Sequence, residues 1–215
     1  DLASKMERPL RVATMCSGTE APLLALELVS RACEVQKESP LAVTHVFSSE
    51  VEPFKQAYIE RNFAPPLLFR DVRELGSRQA HTAFGSLENV PRQRGDVDIL
   101  VAGTSCVDYS NLNTCKKTLE QLGESGQTFY GMFEWVQRAR PPLVLLENVC
   151  GAPWKGMIRN FEAINYRAQA VRLDTKNYYL PQTRTRGYLL AIADEVALPD
   201  VIHRWERQLR AMERN

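Results

Sequence analysis

Apolar and polar positions follow one another in short blocks that switch between strand-like runs and helical spacing. Arg11 to Met15 reads as a first strand, followed by a tight turn at Ser17, Gly18 and Thr19. Pro22 then opens an apolar helix from Leu23 to Ala32, at a position where its missing N–H costs nothing. Val43 to Ser49 is a second strand ending at Glu50, and Pro53 begins a helix through Phe63. Phe54, Ala57 and Tyr58 share one face of that helix, a stripe that Arg61 interrupts. Leu67 to Phe69 gives a short third strand capped by Asp71, and the polar segment 74–96 reads as a helix or loop excursion. Asp98 to Ala102 is a fourth strand. Residues 107–126, rich in Asn, Thr, Lys and Gly, form a long loop of the kind that is functional or disordered. Phe129 to Arg140 is a helix stopped by Pro141 and Pro142, and Leu143 to Leu146 is a fifth strand. A short helix at Phe161 to Ile164 precedes a closing antiparallel pair, Ala168 to Leu173 and Gly187 to Ala193. The tail 199–215 is a charged helix with Val201, Ile202, Trp205, Leu209 and Met212 on one side.

Alternating strands and helices predict an α/β domain with a mostly parallel sheet and an antiparallel closing strand. The 215 residues suffice for one domain with a real core, and 44% hydrophobic with 25% charged content is that of an ordinary globular protein. No run has the length of a membrane span and no signal peptide is visible, so no membrane partner is expected. Five cysteines without a C-x-x-C pair, and only three histidines, argue against a disulfide framework and a metal site and for a reducing compartment. A net charge of +1 means that any grip on a polynucleotide must come from a local patch or another domain.

Reactive side chains stand at strand ends, where open parallel sheets collect ligands. Cys106 follows the fourth strand and Glu147 ends the fifth, a pairing that suggests attack by sulfur assisted by an acid. The commoner fate of a free cysteine is a small buried hydrophobe, but Cys106 sits at the sheet rim after Gly103, Thr104 and Ser105. Glu147, with an apolar strand behind it, is expected in a partly dry position with a raised pKa; the plainer reading is a salt-bridged rim acid. The first strand's turn, then Glu50, then Asp71 describe a nucleoside pocket, in which Glu50 accepts both hydroxyls of a ribose and Asp71 an adenine amino group. Singly, each acid reads as a turn or cap residue. Arg184 and Arg186 alternate before the last strand, facing one anionic or carbonyl partner. Cys33 and Cys115 read as structural, and Cys150 draws attention only by following Glu147.

In order, these pieces resemble the C5-cytosine methyltransferases over nearly the whole chain, most closely divergent, fungal-type members. The family's cofactor turn matches Met15, Cys16, Ser17, Gly18, Thr19 and Glu20; its ribose acid matches Glu50 and its adenine acid Asp71. Its nucleophile segment, usually Gly-x-Pro-Cys-x-x-x-Ser, reads from Gly103 to Ser110 with Ser105 in the proline's place. The Glu-Asn-Val signature stands at 147–149 and Gln-x-Arg-x-Arg at 182–186. The resemblance implies a Rossmann-like fold and S-adenosylmethionine as cofactor, bound by residues 16–20 with Glu50, Val51, Asp71, Val72 and Gly103. It implies methyl transfer to C5 of a cytosine flipped out of nuclear DNA. Cys106 would add to C6, Glu147 would hold N3, and Arg186, supported by Arg184, would bind O2. Residues 1–198 would be the catalytic core. Residues 199–215 would be a helix leading to a further domain, with no target-recognition region in between, so that the fragment alone is expected to be weak or inactive. A tRNA-modifying branch of the superfamily and a lapsed cofactor-binding regulatory module remain alternatives.

Overall fold

The computed structural model describes residues 6–110 and 113–214. Residues 1–5 of the expected core, 111 and 112 of the expected loop, and 215 of the tail lie outside the described residues. The chain forms two compact units, residues 1–103 with 131–141, and residues 104–130 with 142–215.

The first unit is built on β1 (Leu10–Met15), β2 (Val43–Ser49), β3 (Leu68–Phe69) and β6 (Ile99–Ala102), all parallel, in the order β3-β2-β1-β6. Helices α1 (Ala21–Val35) and α2 (Pro53–Phe63) connect the first strands. A three-residue hairpin, β4 (Gln79–His81) with β5 (Leu87–Asn89), occupies the segment expected as helix or loop. Its strands are too short and polar to show alternation, and Gly85, at φ 85°, makes the turn. The core holds Phe47, whose ring meets Phe69 and Trp135 edge-on at centroid distances of 5.6 and 5.5 Å. The indole N–H of Trp135 donates to the Pro91 carbonyl, so the burial of this ring strands no donor. The apolar residues of α1 run around the helix rather than along one stripe, and none of its residues is buried. In α2 only Ile59 is buried, whereas Phe54 and Tyr58 of the expected stripe are exposed.

The second unit carries β7 (Leu143–Asn148), β8 (Tyr166–Asp174) and β9 (Thr185–Ala193) in the order β7-β9-β8, with β9 antiparallel to both neighbours. This is the closing pair read from the sequence. Helix α3 (Glu124–Ala139) starts five residues before the expected Phe129, so the loop ends sooner. Helix α4 (Trp154–Ala163) is likewise longer than the segment 161–164 that the pattern marked. Phe161 ties this unit's core together, edge-on to Phe129 and to Tyr166. Helix α5 (Val201–Ala211) forms from the tail.

Candidate functional site

In the first unit the four parallel strands end in register. Met15 pairs with Ser49 and Ala102, and Ser49 with Phe69, so Cys16, Glu50, Arg70 and Gly103 form one rim. Backbone bonds from Cys16 to Ser49 (2.7 Å), Glu50 to Phe69 (3.1 Å) and Gly103 to Met15 (3.0 Å) fix it. The strand order reverses beside β1, the position where doubly wound sheets take their ligands.

The turn after β1 is strained. Cys16, Gly18 and Glu20 all have positive φ, at 52°, 61° and 56°, and for the two non-glycine residues this costs of order 1–2 kcal/mol each. Glu20 compensates through its side chain. Its buried Oε1 accepts from Ser17 Oγ (2.6 Å), Ser48 Oγ (2.6 Å) and Thr14 Oγ1 (2.9 Å), while Oε2 is buried without a hydrogen-bond partner. Ser48 Oγ also meets His45 Nε2 at 3.0 Å. Burial pushes the His45 pKa down, against the charge of Glu20. Sequence reasoning missed Thr14, His45 and Ser48. The available signal was that Thr14 and Ser48 are polar, lie within otherwise buried strand runs and are cross-strand partners.

Glu50 is buried, with its carboxylate fixed by three backbone N–H groups: Gly18 to Oε2 at 2.9 Å, and Val51 and Glu52 to Oε1 at 3.0 and 3.1 Å. A carboxylate offers about four acceptor positions, so one remains, not the two that both ribose hydroxyls require while Gly18 stays bonded. Gly18 itself has open space above it: a Cβ built there meets nothing within 4 Å. Asp71 caps the 3-10 turn Val72–Glu74, accepting the Arg73 N–H at 2.9 Å and pairing with the Arg73 guanidinium at 2.6 Å. Val51 and Thr19 are exposed on the rim, whereas Val72 is in the core. Burial, then the charges of Glu50 and Asp71, push the Cys16 thiol up to about 12, so it is a neutral wall of this rim.

In the second unit Cys106 is half-buried and opens a turn, its carbonyl accepting from the N–H groups of Tyr109 (3.0 Å) and Ser110 (2.9 Å). The residues before it are fastened from three sides. Asn148 Nδ2 donates to the Thr104 carbonyl at 3.0 Å and the Ser105 carbonyl at 3.3 Å. The Ser105 N–H donates to Thr128 Oγ1 at 3.2 Å, and Ser105 Oγ donates to Glu124 Oε1 at 2.8 Å. Asp108 and Ser125 exchange a reciprocal pair, Asp108 N–H to Ser125 Oγ at 2.9 Å and Ser125 N–H to Asp108 Oδ2 at 2.7 Å. The nucleophile segment is thereby sewn to the first turns of α3.

Glu147 lies within β7, where Oε1 is 3.1 Å from Arg186 Nε and the two side chains are 31% and 26% exposed. The carboxyl is therefore ion-paired and partly exposed, which is the plainer of the two expectations, a salt-bridged rim acid. Arg184 precedes β9; its backbone bonds to Thr175 and its side chain is exposed, so Arg186 alone pairs with Glu147. Tyr188, the cross-strand partner of Glu147, was not singled out from sequence. Burial raises its phenol pKa, as does Glu147, against the charges of Arg184 and Arg186. Gly187 leaves room for Trp154, whose Cζ2 would lie 2.2 Å from an added Cβ. Cys150 is exposed, with its carbonyl accepting from Trp154 Nε1 at 3.2 Å. Cys33 and Cys115 take part in neither set.

The family model for C-5 cytosine-specific DNA methylases matches residues 10–211. A DNA (cytosine-5-)-methyltransferase DMT5 from Cryptococcus neoformans var. grubii is 56% identical over 207 residues, covering 96% of this chain and 9% of the relative. The DMT5 of Verticillium dahliae is 36% identical, covering 84% of the chain and 10% of the relative. The type II methyltransferase M.MspI of Moraxella is 27% identical over 70% of the chain and 34% of its own length. The chain thus spans about a tenth of the length of the fungal relatives and a third of that of the bacterial one. Among solved structures, a prophage-encoded protein of E. coli described as a DNA modification methyltransferase superposes with a TM-score of 0.57 at 15% identity, covering 89% of this chain and 49% of the other. That likeness establishes the α/β methyltransferase fold. On the match over residues 10–211 and the fungal identities, the chain belongs to the C-5 cytosine-specific DNA methylase family.

Proposed function

We propose that this chain carries the chemistry by which S-adenosylmethionine methylates C5 of cytosine in DNA, with Cys106 as nucleophile. The observation that carries the reading is in the second unit. Asn148, next to Glu147, holds the carbonyl of Ser105, next to Cys106, while Glu147 pairs with Arg186. Thiol, carboxyl and guanidinium are thus tied into one framework.

The residues of the first unit fit the cofactor. The open space above Gly18 admits a ligand to the backbone, and Glu50 keeps one acceptor position for a ribose hydroxyl. The second ribose hydroxyl requires Glu50 to release the Gly18 N–H. Asp71 would take the adenine amino group, sharing its oxygens with Arg73, and exposed Val51 offers an apolar surface beside it. Cys16, Ser17, Thr19 and Gly103 supply the remaining rim, with Glu20 and Val72 behind it. When bound, the cofactor supplies a methyl group made electrophilic by a sulfonium sulfur.

Cytosine C5 is a poor nucleophile. Addition of the Cys106 thiolate to C6 forms the S–C6 bond and shifts the ring electrons toward C5. Glu147 at N3 and the exocyclic amine, and Arg186 at O2, balance the charge that develops. C5 takes the methyl group while the pair of the broken methyl–sulfur bond would stay on sulfur as a neutral thioether; C5 then loses its proton to water and expels Cys106 as the ring electrons return. Stacked in a duplex the base is unreachable, so the substrate is an extruded cytosine, and nuclear DNA is the inferred target. Residues 1–198 form the inferred catalytic core, continued by α5 into further domains of the polypeptide.

Two measurements test this. Calorimetric titration with S-adenosylmethionine is expected to show binding that Glu50→Ala abolishes. Duplex DNA carrying 5-fluorocytosine is expected to remain covalently attached to the wild-type chain but not to Cys106→Ser. Cofactor binding without an adduct would leave only a regulatory, cofactor-holding module; an adduct formed with RNA instead of DNA would move the substrate to the tRNA branch.

A further inference from the structure

Helix α5 sorts its charges. Its apolar side, with Ile202, Trp205 and Leu209, is half-buried, and the Tyr178 hydroxyl reaches the Leu209 carbonyl at 3.4 Å. The acids face that side: Glu206 accepts from Gln169 Nε2 of β8, and Glu213, just past the helix end, accepts through Oε1 from Tyr178 Oη at 3.4 Å. His203, Arg207 and Arg210 recur at helical spacing on another face, exposed, with Arg204 exposed beside them. Among the described residues, these four side chains make no hydrogen bond or ion pair. Several arginines elsewhere are used internally: Arg8, Arg31, Arg70, Arg73, Arg138 and Arg186 are each ion-paired. Arg210 also lines, with Arg172 of β8, a cavity of about 460 Å³ whose acids, Glu206 and Glu213, are those already engaged.

We infer that this face of α5 lies along the phosphate backbone of the DNA substrate, an inference that rests on the methyltransferase reading. With a rise of about 1.5 Å per residue, His203 to Arg210 spans roughly 10 Å. That matches about three phosphate-to-phosphate steps of one strand, each about 3.4 Å along the duplex axis. A protein partner is a poorer fit, because the helix turns its large apolar side chains inward and leaves this face no anchor for a pocket. At a net charge of +1 the whole chain attracts a polyanion weakly, so a concentrated strip of unpaired cations is where a grip must sit.

The test follows binding of the full chain to a fluorescein-labelled duplex by anisotropy between about 50 and 200 mM KCl. Each phosphate contact contributes about 0.9 to the slope of log K against log salt, so Arg207→Ala/Arg210→Ala is expected to reduce the slope by about 2. Arg31→Ala on α1 is expected to leave it unchanged. An unchanged slope in the double variant overturns the inference, as does an equal fall in Arg31→Ala. So does tighter binding to a poly-glutamate peptide than to the duplex, or the absence of duplex binding at the lowest salt. Circular dichroism verifies that the variants fold. Titration with S-adenosylmethionine separates the two readings: lost DNA binding with intact cofactor binding sinks the α5 surface alone, whereas failure of the wild type to bind cofactor sinks the methyltransferase reading.

Discussion

Ser105 stands where the nucleophile motif that this segment resembles usually reads proline, and its hydrogen bonds give that departure a physical account. A proline would fix its own φ but could not donate the N–H that Ser105 gives to Thr128 Oγ1, nor the hydroxyl that reaches Glu124 at 2.8 Å. The segment before Cys106 is held by contacts instead of by a ring. Loss of the hydroxyl contact, at about 1 kcal/mol, is expected to slow covalent trapping of 5-fluorocytosine DNA roughly fivefold in Ser105→Ala and comparably in Glu124→Gln. Ser105→Pro, which restores the restraint by another route, is expected to stay close to wild type. Equal trapping rates in the serine and alanine forms would show that Asn148 and Thr128 hold the loop without the hydroxyl. Neither Glu124 nor Thr128 was legible as a partner, because both lie about 20 residues away, at the start of a helix whose first turns the sequence pattern assigned to loop. Cys106, Glu147 and Glu50, in contrast, were legible from strand ends alone, since a buried apolar run followed by one polar residue marks a rim.

Element lengths follow the same logic. Strand β2 and helix α2 match the residues that the pattern marked, because Glu50 ends the apolar run and Pro53 opens the helix. The hairpin β4–β5 and the first turns of α3 escaped, the former for want of alternation and the latter because Gly123 and Gly126 read as loop. The glycines of α3 illustrate how packing overrides propensity. Gly131 faces the 3-10 turn Val72–Glu74, and an added Cβ would lie 2.8 Å from Arg73 Cα and 3.0 Å from the Val72 carbonyl oxygen. Helix propensity by itself predicts that Gly131→Ala stabilises by about 1 kcal/mol. The obstacle is backbone, which cannot rotate away, so we expect instead a loss of about 1–3 kcal/mol in urea unfolding. A stabilised variant would mean that α3 can shift away from the turn without cost. Because Asp71 caps that turn, its displacement by the added methyl group should also weaken cofactor binding, and stability and binding are expected to fall together.

For the molecule as a whole, three groups of the first unit make contributions to the dependence of stability on pH that substitution can separate. Burial lowers the His45 pKa below its ordinary 6.5, so as pH falls past that value the unfolded chain takes up the proton first and stability declines. Asp98 behaves like a paired carboxylate. Burial pushes it up, but hydrogen bonds from Arg8 and from the Arg11 N–H, 2.9 Å away, outweigh that and hold it at about 2 against an ordinary 3.8. Its contribution is present above 3.8 and is lost as pH falls toward 2. It amounts to at most about 2 kcal/mol, and less in salt because Arg8 is half exposed. Cys16 acts at the other end. Its folded pKa of about 12 exceeds the ordinary 9.0, so the folded thiol keeps a proton that the unfolded chain has lost, and stability falls from pH 9 upward. Urea midpoints are therefore expected to form a plateau between about pH 6.5 and 9 with a limb on each side. Cys16→Ala should flatten the start of the alkaline limb and leave both acid steps, whereas Asp98→Asn should shrink the lower acid step, which Glu74 shares because, against burial, hydrogen bonds from His81 and Arg70 hold its pKa down, and His45→Gln should remove the upper one. Tyr109, buried in the second unit and raised to about 12 from 10.0, keeps part of the alkaline limb in every variant, but only above pH 10. The interval between pH 9 and 10 thus belongs to Cys16, and a limb there that survives Cys16→Ala would show that the cofactor turn admits water to its thiol.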